Sequence, residues 1–133
     1  MINEVVITIP YPPTINNYYK YRKSAHAVSI SIYVGDEGLL HREKVQSLII
    51  DHKRARSFKL DIPYFSIERL SVEFYIYPPD KRKRDIDNVL KCGIDSLQHG
   101  LLFKNDNQID KLYIERMSVE EYGKIIVHIK KII

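Results

Sequence analysis

A chain of 133 residues, 44% hydrophobic and with a formal net charge of +4, suits one domain around one core and favours an anionic partner. Its single cysteine, Cys92, excludes an intrachain disulfide, and no Cys/His grouping has the spacing of a zinc site. The start shows no signal-peptide pattern and no run approaches the roughly 20 apolar residues of a membrane span, so a cytoplasmic protein with no membrane role is expected.

Residues 5–9 are a β-branched run ended by Pro10 and predict a buried strand. Pro10-Tyr11-Pro12-Pro13-Thr14-Ile15-Asn16-Asn17-Tyr18-Tyr19 cannot be helical at its start, because its prolines fix φ and push preceding residues into extended chain. An ordered loop is expected there. Residues 20–35 lack a clear period and predict a loop with a short strand at 27–34. Asp36 is placed to cap a helix to about residue 56, with Leu40, Val45, Leu48 and Ile49 on its inner side. Between residues 68 and 77, Leu70, Val72, Phe74 and Ile76 alternate with Ser71, Glu73, Tyr75 and Tyr77, which predicts a strand with one apolar face. Pro78-Pro79 end it. A second helix begins at Asp85 or Asp87 and runs through Leu97, burying Leu90, Gly93, Ile94 and Leu97, and Gly100 terminates it. Asn105-Asp106-Asn107 reads as a turn. Residues 108–117 and 124–132 predict two strands joined as a hairpin near Glu120-Glu121-Tyr122-Gly123. The expected fold is a single α/β (α+β) domain over residues 1–133, in the order β-α-β-α-β-β, with helices packed on a mixed sheet.

The chemistry concentrates in Asp80-Lys81-Arg82-Lys83-Arg84-Asp85-Ile86-Asp87-Asn88-Val89-Leu90-Lys91. Lys81, Arg82, Lys83 and Arg84 can hold a phosphate backbone without reading sequence. Asp85 and Asp87 would diverge by about 200° inside a helix. In extended chain at a strand-to-helix junction, side chains two apart share a face and can share a metal. Lys91 lies one helical turn beyond Asp87. If the turn at Asp106 returns to the same end of the sheet, three carboxylates crowd together, and a divalent cation relieves their repulsion. Mg²⁺ takes oxygen ligands and keeps water, which supplies a nucleophile beside a phosphate. Each feature also has a structural reading: aspartates as helix caps, Asp87 with Lys91 as an i,i+4 ion pair, Asn-Asp-Asn as a plain turn. Both readings stand at this point. Tyr18, Tyr19 and Tyr21, with Lys20, Arg22 and Lys23, form a basic-aromatic region suited to stacking on unpaired bases or to packing on the sheet. The five histidines read as structural, Cys92 as a small core residue, and Asp95 as either a partner for Lys91 or a surface charge.

Two segments, residues 10–19 and 80–106, resemble the RusA family of Holliday junction resolvases: the first its proline-rich opening, the second its catalytic core. The resemblance implies a homodimeric, Mg²⁺-dependent endonuclease, with Mn²⁺ able to substitute, that cuts four-way DNA junctions by paired nicks in recombination and repair. It places metal-binding aspartates at Asp85, Asp87 and Asp106 and the catalytic lysine at Lys91. Arg84 and Asn88 become DNA contacts by that resemblance; Asn16 and Tyr18, in the opening segment, are further DNA-binding candidates. The chain departs from the family at Asn105, where some relatives carry a second acid, at Thr14, where serine is frequent, and over residues 24–35, which look longer than usual. Two rivals remain: a non-catalytic DNA-binding recombination or packaging protein, and a nuclease for flaps or forks.

Overall fold

Among the residues described by the computed structural model, 2–23 and 30–133, the chain runs from strand β1 (Glu4–Pro10) through a one-turn helix α1 (Ile15–Tyr18) to strands β2 (Tyr19–Lys23) and β3 (Ile30–Val34). Helix α2 (Asp36–Ala55), strand β4 (Leu70–Tyr77) and helix α3 (Leu90–His99) follow. A 3-10 turn at Asp106–Gln108 leads into strands β5 (Ile109–Arg116) and β6 (Lys124–Lys131). The expected order persists as β1, α2, β4, α3, β5, β6, with α1 and the β2–β3 pair inserted after β1. The fold is mixed α+β.

The main sheet has strand order β1-β6-β4-β5, antiparallel except for the parallel β4–β5 pair. The alternation in β4 sends Leu70, Val72, Phe74 and Ile76 into the core, beside Ile125, Val127 and Ile129 of β6 and Val5, Ile7 and Ile9 of β1. Val45 and Ile49 of α2 and Leu97 of α3 pack into the same cluster. A side-chain carbon added at Gly93 would lie 3.2 Å from the Phe74 ring, so the glycine lets α3 sit close on β4.

Several expectations change. The last two strands do not form a hairpin. After α3, β5 runs parallel to β4 on one side, and β6 takes β4's other side and joins it to β1. β1 is buried on one face only; it is an edge strand, Val6 is 53% exposed, and Pro10 stands within it where a missing N–H is tolerated. A short helix, α1, forms once the prolines are passed. β2 was not expected; it pairs with β3, which realises residues 30–34 of the strand expected at 27–34, while 27–29 lie outside the described residues. Gly35, not Asp36, is the N-cap of α2, and Asp36 instead meets the positive end of the helix from its first turn.

The inner side of α2 is also different: Gly38, His41, Val45, Ile49 and Lys53 are buried, whereas Leu40 and Leu48 are exposed. Polar residues occupy this stripe because each finds a partner. His41 donates from Nε2 to the Pro10 carbonyl at 2.9 Å and takes the Ser96 hydroxyl on Nδ1 at 2.8 Å. Burial lowers its pKa, which keeps it neutral. Lys53 Nζ donates to the Ile62 carbonyl at 2.6 Å. No helix among the described residues is long and apolar enough to cross a membrane.

Phe74 is fully buried under α3. Phe74→Ala is expected to lower unfolding stability by about 3–5 kcal/mol, read from the denaturation midpoint. A loss under about 1 kcal/mol would mean that α3 does not rest on this ring.

Candidate active site

The site is built where β4 stops. Pro78-Pro79 release the chain into an exposed loop whose shape is set by Asp80. Its Oδ1 accepts the Arg82 backbone N–H at 2.9 Å and the Arg84 guanidinium at 2.7 Å. The Arg84 hydrogen bond, followed by the Arg82 N–H, holds the Asp80 carboxyl down to about 2. Arg84 also lies 5.9 Å from the centroid of the Tyr11 ring, and its carbonyl accepts from Arg116. Of the four consecutive cations, Arg84 is therefore held inward, while Lys81, Arg82 and Lys83 face solvent. A groove runs beside this loop, floored by Tyr11, Ile76, Val89 and Met117 and rimmed by the cations.

Residues 86–89 form a turn, and α3 starts only at Leu90, later than expected. The Asn88 N–H donates to the Asp85 carbonyl at 3.2 Å and the Leu90 N–H to the Asp87 carbonyl at 3.1 Å. The Asn88 carbonyl accepts from Ile15 at 2.8 Å, which joins the turn to α1. Asp85 and Asp87 thus occupy the junction between extended chain and helix. Both are exposed, and among the described residues neither carboxylate has a hydrogen-bond or ion-pair partner. Neither caps α3, whose N-cap is Val89 with no side-chain cap.

Lys91 sits in the first turn of α3. It pairs with Asp95 at 3.0 Å, not with Asp87, because Asp87 lies off the helix and only Asp95 occupies the i+4 position on it. That hydrogen bond raises the Lys91 pKa, and the charge of Asp106 adds to the shift, so Asp106 lies within electrostatic reach of the ammonium. Asp106 opens the 3-10 turn, but the cap is Asn105, whose side chain accepts the Asn107 N–H at 3.0 Å. Gln108 Oε1 answers by accepting the Asn105 N–H at 2.9 Å. The Asp106 N–H donates to Gln98 Oε1 at 2.8 Å, which fastens the turn to α3. Gln98 falls two turns after Lys91, so one face of the helix carries the lysine, Asp95 and the tether of Asp106.

The structure brings Asp85 and Asp87 onto one turn and ties the backbone of Asp106 to α3, the helix that carries Lys91. Among the described residues no three His, Cys, Asp or Glu side chains are grouped as metal ligands, so the expected trio is not drawn into a coordination set here. The donor chemistry still fits a hard divalent cation: three exposed carboxylates, oxygen only, each without a partner among the described residues.

Elsewhere the structure divides the expected contacts. Asn88 is half-buried in the turn and Asn16 is exposed on α1. Tyr18 is corrected: it is fully buried, its hydroxyl is bonded to Asp95, and its ring cannot stack on a base. In the same region Tyr21 is 74% exposed, and Tyr33 lies under Arg22. Asp80, Gln98 and Arg116 were missed. The i+7 spacing of Gln98 from Lys91 was a usable signal, whereas nothing local marks Arg116. Burial pushes the Cys92 thiol up to about 12, as suits a core residue.

Residues 10–130 match the protein family described as endodeoxyribonuclease RusA. The chain is 36% identical over 115 residues to the crossover junction endodeoxyribonuclease of Enterobacteria phage HK97, covering 86% of this chain and 84% of that protein. It is 28% identical over 124 residues to crossover junction endodeoxyribonuclease RusA of Escherichia coli strain K12, covering 93% and 92%. The corresponding protein of Enterobacteria phage 82 is 27% identical over 124 residues.

The Asp80 knot has a pH signature. A carboxyl depressed in the folded state stabilises the fold above its ordinary value of 3.8, and that contribution disappears as pH falls towards about 2. Carbon-13 titration should find the Asp80 carboxyl midpoint near 2. A midpoint near 3.8 would mean that Arg84 is not held.

Proposed function

Because this chain belongs to the RusA family of endodeoxyribonucleases, we propose that it resolves four-way DNA junctions by paired, Mg²⁺-dependent nicks. The observation that carries the reading is the loss of every structural role for the three aspartates. None caps a helix, Asp87 forms no ion pair with Lys91, and all three carboxylates stand exposed and without partners among the described residues. Carboxylates kept unpaired beside a cationic loop suit an ion that arrives with the substrate.

In this mechanism Asp85, Asp87 and Asp106 hold the divalent ion, which when bound supplies an activated water and neutralises charge on the phosphate; Mn²⁺ can take its place. Lys81, Arg82 and Lys83 hold backbone phosphates leading to the site. Arg84 shapes the loop through Asp80 and places Asp85 at its end. Asn88 and Asn16 face DNA from the turn and from α1. Lys91 stays protonated and presents its ammonium to the charge that builds on the reacting phosphate. A homodimer supplies two equivalent sites to a substrate that is itself nearly two-fold symmetric.

On a labelled four-way junction, cleavage is expected with Mg²⁺ or Mn²⁺ and none in chelator, with flaps and linear duplex cut more slowly. Equal rates on all three would defeat the junction reading. Binding without any nicking would favour a non-catalytic module. Asp85→Asn is expected to lower the cleavage rate on the order of 100-fold or more while leaving junction affinity intact. Wild-type cutting by that variant would remove Asp85 from the site. Replacing Arg82 and Lys83 together with Ala should make the slope of log affinity against log salt shallower by about 2. An unchanged slope would place the DNA on another face.

A further inference from the structure

Lys91 is a flexible side chain at an exposed position, and a lone i,i+4 carboxylate would hold it weakly. Here the carboxylate is not a lone one. Asp95 Oδ2 accepts the Tyr18 hydroxyl at 2.7 Å, and that hydroxyl accepts from Arg42 Nη2 at 2.6 Å. Asp95 Oδ1 is left facing Lys91 Nζ at 3.0 Å. Tyr18 is fully buried at the end of α1, the Asp95 side chain is 16% exposed and that of Arg42 22%. The Arg42 guanidinium lies 5.7 Å from the Tyr18 ring centroid. Three helices thus meet on one carboxylate: α1 through Tyr18, α2 through Arg42 and α3 through Asp95 itself.

We propose that Asp95 is a positioning residue that fixes the ammonium of Lys91 for the reaction, and that Tyr18 and Arg42 fix Asp95. The inference rests on the role given to Lys91 above and extends it to residues buried behind it. With one oxygen occupied by Tyr18, the carboxylate cannot turn away from the lysine without breaking a partly buried hydrogen bond. The network therefore converts a flexible side chain into an oriented one, and the turn carrying Asp85 and Asp87 is joined to the same helix α1 through Asn88 and Ile15. Among the described residues the buried Arg42 Nε has no hydrogen-bond partner, and the guanidinium is held by the Tyr18 hydroxyl, the Tyr18 ring and a 3.9 Å ion pair with Asp95.

The test is single-turnover cleavage of a four-way junction in Mg²⁺, with junction affinity measured separately in metal-free buffer. Asp95→Asn should lower the rate constant about 10- to 100-fold with affinity unchanged. Tyr18→Phe should lower it less, in the same direction. Because Asp95 acts through Lys91, Asp95→Asn should add nothing once Lys91→Met is present. A purely architectural role would slow both backgrounds by the same factor, and that result would overturn the proposal, as would a wild-type rate constant in Asp95→Asn. A second readout needs neither metal nor cleavage. The nitrogen-15 signal of the Lys91 ammonium, slowed in proton exchange by its bond to Asp95, should be seen in the wild-type chain and lost in Asp95→Asn. Its persistence overturns the clamp whatever the chain cuts. A wild-type chain that cuts no junction overturns the resolvase reading instead, and leaves the ammonium signal to decide the role of Asp95.

Discussion

The seating of α3 on β4 is the contact on which the rest of the molecule depends. Gly93 brings the helix against the Phe74 ring, and Leu97 carries the contact into the core. Everything proposed to be functional is referred to that helix. The acidic turn leads into its first residue, Lys91 and Asp95 stand on its face, and Gln98 holds the backbone of Asp106. A shift of the helix would move all of these together. Packing in the interior thus sets the geometry of a surface site, since side chains in a close-packed core resist displacement.

Around that helix the charges are sorted by whether they are satisfied. Asp80 is consumed by Arg84 and the Arg82 N–H, Asp95 by Lys91 and Tyr18, Asp110 by Arg69. Asp85, Asp87 and Asp106 are left without a partner among the described residues. The cations divide in the same way, with Arg84 engaged and Lys81 and Lys83 facing solvent. Lys81 and Lys83 lie next to Asp85 and Asp87 in the chain, and Asp106 comes from the 3-10 turn beyond α3. In the proposed mechanism a phosphodiester would bring the complementary charge for the cations, and its metal that for the aspartates, so that substrate would complete the electrostatics of this surface.

Much of this was legible in the sequence where a strong local signal agreed with the tertiary structure. The period-two alternation of Leu70, Val72, Phe74 and Ile76 specified β4, and the proline pair specified its end. The close packing at Gly93 followed from the absence of a side chain. The acidic junction was readable because prolines precede it and an apolar stripe follows. What failed was decided by partners distant in the chain. The order of strands β5 and β6 depends on which edge of β4 is free, which no window of either strand records. His41 displaced Leu40 from the buried side of α2 because Pro10 and Ser96 satisfy its ring from other elements. The basic and aromatic neighbours of Tyr18 left base stacking and packing both open. Tyr18 is buried because Arg42 and Asp95, 24 and 77 residues away, meet at its hydroxyl.

The central claim is that Asp85, Asp87 and Asp106 close on one divalent ion beside Lys91. Paramagnetic broadening of backbone amide signals by substoichiometric Mn²⁺ tests it most directly, since it reports where the ion sits without DNA or cleavage. The account predicts that broadening centres on residues 85–87 and on the 106 turn together, and that Asp106→Asn weakens both. Broadening that spares the 106 turn, or that centres elsewhere on the surface, would contradict it.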